Sequence, residues 1–316
     1  MYDVGMFASV QAPIPVVSVG GLTIGGSGKT PVAADVAARL SAAGVSVAIL
    51  THGFEDEMYV HGQLAPGARV YGGRDRERLA HKAAAEGAEI AILDSGFQRR
   101  RLHRDLDIVT LDEHSLFDSP AHLPAGPFRE GMAALGRADL VVVVRRCSED
   151  DSRLDGRGIG STGGLGPRIR ALQAEGAPPF VSACIVPGSL VPANESARAT
   201  RSPRPGLSVA GIMWPTVFFA QAKRVSGLEQ ETVTLPDHAR VDRALGSRLR
   251  DMAGDSGIVC TLKDVMKLVG ALGDAVPIWY LSENVVWEER GPEPGIVWTC
   301  LDLLEPRTPD ERSSLR

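Results

Sequence analysis

The chain has 316 residues, 44% of them hydrophobic and 23% charged, with a net charge of −5. Those totals describe an ordinary globular chain long enough for two lobes, and they lack the basic field that nucleic acid binding requires. Cys147, Cys184, Cys260 and Cys300 form no CxxC pair and read as buried or incidental thiols of a cytoplasmic protein. No apolar run reaches the length of a membrane span, and no secretion signal opens the chain.

From Pro15 to Val19 a short β-branched run predicts a buried strand, which breaks into "GGLTIGGSGKTP". Residues 31–44 carry alanine, valine and leucine at helical spacing and stop at Gly44; "VSVAIL" (45–50) is a second strand. Strand, loop, helix and strand in that order make a βαβ unit, which implies a parallel sheet covered by helices. The alternation continues through strand "ARVYG", helix "RDRERLAHKAAAEG" and strands "EIAILD", "LDIVTLD" and "ADLVVVVRR". Residues 1–147 therefore read as a doubly wound, mostly parallel α/β nucleotide-binding domain of the P-loop NTPase type, with ligands at the carboxyl ends of its strands.

Residues 148–167 hold charge and glycine without apolar period and read as a linker or mobile loop. A smaller α/β lobe is expected over 168–305. It comprises strand "PFVSACIV", a proline-broken loop to Pro205, strand "LSVAGI", helix "PTVFFAQAKRVSG", strand "QETVTL", helix "DRALGSRLRDMAG" and strands "GIVCTL" and "VPIWYL". Residues 306–316 form a polar tail.

The strongest chemical signal is Thr23-Ile24-Gly25-Gly26-Ser27-Gly28-Lys29-Thr30, between a strand and a helix. Glycines there let backbone N–H groups wrap a phosphate chain; Lys29 would reach the outer phosphates and the Thr30 hydroxyl would ligate magnesium. Thr23 occupies the place of the first glycine of the usual pattern. Asp94 ends a strand expected beside the first one, where a second magnesium-directed acid belongs; the bland alternative is a strand-ending Asp that caps a turn. Arg99, Arg100, Arg101, His103 and Arg104 form the densest basic cluster, read either as an attractor for a phosphate or anionic headgroup or as a solvated turn. "WPTVFF" (214–219) reads as the apolar face of a buried helix or as a contact for acyl chains.

These stretches resemble the tetraacyldisaccharide 4'-kinases, the lipid A 4'-kinases of Gram-negative bacteria. "IPVVSVGGLTIGGSGKTP" (14–31) is similar to the family's nucleotide-site opening, and Asp94 through Val109 to its "DDGFQHRRLxRDLDIV". "HLPAGPFREG" (122–131), Gly73-Arg74-Asp75-Arg76, "AGIMWPTVFF" (210–219), "LPDHARV" (235–241) and "VCTLKDVMKL" (259–268) resemble further family motifs in the same order. The resemblance implies ATP and Mg2+ as cofactors and transfer of the γ-phosphate to the 4'-hydroxyl of an acylated glucosamine disaccharide 1-phosphate. It places the protein peripherally on the cytoplasmic face of the inner membrane, with no obligate protein partner. Carried over residue by residue, Thr23 to Thr30 hold ATP, Thr30, Asp94 and Glu130 surround magnesium, and Arg76 and Arg129 face phosphate; Arg99, from the basic cluster, is a further candidate for the substrate's phosphate. Lys29, Asp94 and His238 are the catalytic set, His238 assisting deprotonation of the sugar hydroxyl.

Four departures accompany the likeness. The family's paired acids are Asp94-Ser95 here, and its following histidine is Arg99. Its "SRGY" turn is Thr51-His52-Gly53-Phe54. The "GDEP" segment that supplies its general-base aspartate has only residues 55–71 to fit into, leaving Glu55, Asp56 and Glu57 as substitutes. Residues 1–12 are too few for the family's N-terminal hydrophobic helix. The departures imply a slower kinase, and they leave open a nucleotide-binding regulatory or scaffold protein that has lost transfer.

Overall fold

The computed structural model describes residues 9–117, 121–147, 165–237, 239–288 and 295–304. Most of the linker expected over 148–167, the polar tail and His238 lie outside the described residues.

Eleven strands form one sheet in the order β3-β2-β4-β1-β5-β6-β7-β11-β10-β8-β9. The first half follows the expected alternation: β1 (Val16–Gly21), α1 (Lys29–Ala42), β2 (Val47–Thr51), α2 (Glu55–Leu64), β3 (Arg69–Gly72), α3 (Arg76–Ala85), β4 (Ile90–Asp94), β5 (Leu106–Asp112) and β6 (Leu140–Arg146). All of these strands pair in parallel. Their β-branched and aliphatic runs are buried on both faces, as a sheet covered by helices demands. β1 lies between β4 and β5, so the chain leaves it in one direction and returns on its other side. That reversal opens a crevice at the strands' carboxyl ends. Val19 stands opposite Asp94 in the ladder, which sets the glycine loop beside the acid.

The remainder is α4 (Leu165–Ala174), β7 (Phe180–Pro192), α5 (Glu195–Ala199), β8 (Leu207–Ala210), α6 (Pro215–Ser226), β9 (Glu231–Thr234), α7 (Arg243–Ala253), β10 (Ile258–Thr261), α8 (Val265–Leu272), β11 (Ile278–Glu288) and α9 (Ile296–Asp302). β8, β9, β10 and β11 are mutually parallel, and the antiparallel pair β7–β11 joins them to the first half. The sheet thus runs unbroken from one half to the other.

Two sequence expectations change here. β7 continues through Pro187 where a proline-broken loop was expected, and β11 runs seven residues past Leu281, to Glu288. Pro187 is tolerated because β6 pairs with β7 only as far as Ile185, so beyond that point one edge of β7 needs no ladder hydrogen bond. The cysteines are not all thiols: Cys147, just past β6, and Cys184 on β7 are joined in a disulfide, while Cys260 and Cys300 are free and buried. Neighbouring parallel strands brought together two residues that lie 37 apart in sequence.

Separate apolar clusters fill the two halves. α2 belongs to both, since Val60 packs with Leu207, Val209 and Leu262 while Leu64 also touches the cluster under α1. The far end of β11 returns to the first half, where Trp287 Nε1 donates to Asp35 of α1 at 2.6 Å.

Candidate active site

Glycine chemistry shapes the loop after β1. Gly26 and Gly28 have φ of +76° and +78°, a region that favours glycine, and Gly28 caps the start of α1. The loop is laced to the segment 127–129: Ile24 N–H donates to the Pro127 carbonyl at 3.0 Å and Arg129 N–H to the Leu22 carbonyl at 2.7 Å. Those bonds bring Arg129 and Glu130 to the crevice. Glu130 accepts from Gln98 Nε2 at 3.1 Å and pairs with Arg137, while the same Gln98 nitrogen reaches the Gly21 carbonyl at 3.0 Å. Thr23 is buried, and its hydroxyl donates to the Gly25 carbonyl at 3.0 Å.

Lys29, the first residue of α1, folds back over the loop, with Nζ 3.2 Å from Ser27 Oγ and 3.4 Å from the Thr23 carbonyl. Burial lowers its pKa, partly countered by the charge of Asp94. Arg129, Glu57 and Lys263 also act on it. Thr30 Oγ1 donates to Asp94 Oδ2 at 2.9 Å, joining the two residues expected around magnesium. Ser95, the only described non-glycine residue with positive φ, donates its hydroxyl to Asp94 Oδ1 at 3.1 Å. Burial alone would raise the Asp94 pKa; the hydrogen bond and charge of His61, with Thr30 and Lys29, outweigh it and hold the carboxyl below its ordinary value.

Arg76 opens α3 and is 1% exposed, yet none of its guanidinium nitrogens meets a hydrogen-bond partner among the described residues. Burial and the charge of Arg99 lower its pKa to about 10, while Glu57 and Asp94 pull the other way. Of the basic cluster, Arg104 is bound to Asp107 at 2.9 Å, Arg101 lies 3.6 Å from Glu77 and His103 3.7 Å from Asp105. Arg99 donates to the Arg74 carbonyl at 2.6 Å and faces the site, where its charge lowers the pKa of both Arg76 and His52.

The sequence reading missed α2 as an element, and with it the way residues 55–61 reach the crevice. Its first turn holds Glu55, Asp56 and Glu57, favourable against a helix N-terminus. Glu55 is exposed. Glu57 accepts from Thr51 Oγ1 at 2.8 Å and turns toward Lys29 and Arg76. Asp56 is buried and lies 3.6 Å from Lys267 of α8. On the same side Lys263 holds Asp237, the neighbour of His238, at 2.5 Å. His61 is fully buried with Nε2 2.9 Å from Asp94 Oδ2. Three acids ahead of Met58-Tyr59-Val60 were the available signal; without a polar cap or clean apolar period they did not announce a helix.

Across the loop, a Cβ placed on Gly26 would fall 2.5 Å from Trp214 Nε1, so the residue before α6 lies against the phosphate loop. Ile24, Met213 and Trp214 expose apolar surface there.

A glycine loop between the central strand and its helix, with a lysine and a threonine-acid pair at the strand ends, defines a P-loop protein. The family model for tetraacyldisaccharide-1-P 4'-kinase matches residues 1–65 and 56–294. This chain belongs to that family. A tetraacyldisaccharide 4'-kinase of Anaeromyxobacter sp. (strain Fw109-5) is 34% identical over 306 residues, covering 86% of this chain and 78% of that one. The Geobacter sulfurreducens protein of the same name is 31% identical over 319 residues, covering 92% and 84%. The fold resembles a crystal structure of LpxK from Aquifex aeolicus in complex with ATP, with TM-score 0.66, 24% identity and coverage of 96% and 92%. The two family-model matches overlap at 56–65, where the notable segment between the turn and β3 falls.

Proposed function

We propose that the chain transfers the γ-phosphate of ATP to the 4'-hydroxyl of a tetraacyldisaccharide 1-phosphate, with Mg2+. The observation that carries this reading is the buried guanidinium of Arg76, which meets no hydrogen-bond partner among the described residues and lies within the charge of Arg99, Glu57 and Asp94. A buried guanidinium without hydrogen-bond partners is costly, and a phosphate chain cradled by the glycine loop is an anion that would supply them. The donor set also fits magnesium. Thr30 gives its hydroxyl proton to Asp94 and keeps its own lone pairs, and Asp94 is held ionised. Mg2+ bound there would neutralise charge on the phosphates during transfer.

In this reading the backbone of 23–30 wraps the phosphates, and Lys29, Arg76, Arg99 and Arg129 balance their charge. Glu130, tied to Gln98 beside the end of β1, belongs to the magnesium surroundings. Asp56 is assigned the proton-accepting role because it faces the α8 side, where Lys263 grips Asp237 next to His238. The acceptor oxygen forms its bond to the γ-phosphorus as the bond to the β–γ bridging oxygen breaks, and the hydroxyl proton passes to Asp56 with His238 assisting.

An acylated acceptor would be met at a membrane surface, in this reading the cytoplasmic face of the inner membrane. No helix among the described residues is long and apolar enough to cross it, so attachment would be peripheral. Ile24, Met213 and Trp214 are exposed apolar residues placed to meet lipid beside the loop.

The test is incubation with radiolabelled ATP, Mg2+ and the tetraacyldisaccharide 1-phosphate. Label is expected in the lipid fraction; its absence under conditions where another family member transfers label overturns the reading.

A further inference from the structure

The crevice contains a side chain that the proposed reaction does not use. His61 lies in the second turn of α2, fully buried, with Nε2 2.9 Å from Asp94 Oδ2. The same oxygen accepts the Thr30 hydroxyl at 2.9 Å, while Oδ1 accepts Ser95 Oγ at 3.1 Å and no other donor among the described residues. A carboxylate oxygen offers two lone pairs, so two donors saturate Oδ2 and leave Oδ1 with one lone pair for a further ligand. His61 Nδ1 is buried with no partner among the described residues. A proton on Nε2 lets the imidazole donate to Asp94.

We propose that His61 is a positioning residue for magnesium-dependent nucleotide binding: it fixes the rotation of the Asp94 carboxylate so that Oδ1 is presented to the metal and Thr30 keeps its lone pairs free. The proposal rests on the Mg2+–ATP reading of the site. Residues that orient a metal ligand through a hydrogen bond fix its geometry, and losing them costs about 10–100-fold in metal affinity or activity. Ser95, a weak neutral donor on a left-handed backbone, cannot do this alone. α2 can, because Val60, beside His61, is anchored in the apolar cluster of the second half. The magnesium acid of one half is thereby held by a helix that the other half fixes in place.

The experiment compares the parent chain with His61→Gln, whose amide nitrogen can reach the position of Nε2, and with His61→Asn and His61→Leu, which cannot reach or cannot donate. Binding of a non-hydrolysable ATP analogue is titrated calorimetrically with and without Mg2+, and folding is checked by thermal denaturation. The Mg2+-dependent gain in affinity is expected to fall about 10–100-fold in His61→Asn and His61→Leu and to return to near the parent level in His61→Gln, with metal-free binding unchanged. A folded His61→Leu with the parent's Mg2+ dependence overturns the proposal. Should that variant not fold, equal Mg2+ dependence in Gln and Asn overturns it. A parent chain whose analogue binding ignores Mg2+ overturns the reading of the site itself, and the proposal with it.

Discussion

Arg76 sets activity against stability. Its guanidinium is buried in the crevice with no hydrogen-bond partner among the described residues. Arg76→Met should therefore raise unfolding free energy by about 1–3 kcal/mol, the cost of an unsatisfied buried group, while transfer falls sharply. Denaturant unfolding and label transfer measured on the same preparation check both halves; a destabilised variant would contradict the orphaned-cation account. Glu57 carries a pH signature. Burial raises its pKa above the ordinary 4.5, with Asp94 and Asp56 adding to the rise and the Thr51 hydroxyl opposing it. A raised folded-state value gives stability that is present below the unfolded pKa and lost as pH rises through the folded one. Glu57→Gln should thus gain stability relative to the parent as pH rises above the ordinary carboxylate value of 4.5. A stability difference that stays constant across that rise would remove Glu57 from the buried side of the site.

At the scale of elements, α1 begins where Gly28 takes a left-handed conformation against the end of β6. A Cβ there would lie 2.8 Å from Val144 Cγ1. Gly28→Ala should cost about 1–3 kcal/mol from backbone strain and the clash together, and should weaken nucleotide binding because the loop N–H groups shift. Thermal unfolding with and without ATP separates the two effects; a variant as stable as the parent would show that the loop tolerates a side chain. The strand–loop–helix unit, Lys29, Thr30 and Asp94 could be read from sequence because buried parallel strands are continuous apolar runs and glycine loops have few other uses. α2 could not. Phe54 supplies no side-chain cap, and the buried positions Asp56, Val60 and His61 include two polar residues whose burial makes sense only beside Lys267 and Asp94.

Among the contacts that tie the two halves together are the shared packing of α2, the antiparallel pair β7–β11, the bond from Trp287 to Asp35, and Trp214 lying on Gly26. The last makes the glycine loop a contact between halves. ATP should change tryptophan emission, and Trp214→Phe should diminish that change, since Trp214 lies against the glycine loop while Trp279 is buried in the core and Trp287 is bound to α1. An undiminished signal in that variant would place the emission change elsewhere. By itself the sequence determined the family likeness, the parallel α/β order and the phosphate-loop residues, all of which rest on local patterns of apolar period and glycine spacing. Only the tertiary structure decided that one sheet runs through both halves, that Cys147 and Cys184 meet, that Arg76 is buried without a hydrogen-bond partner among the described residues and that His61 grips Asp94. Those are contacts between residues distant in sequence, and only the packing of strands and helices sets which side chains meet in a buried crevice and which are left unpaired.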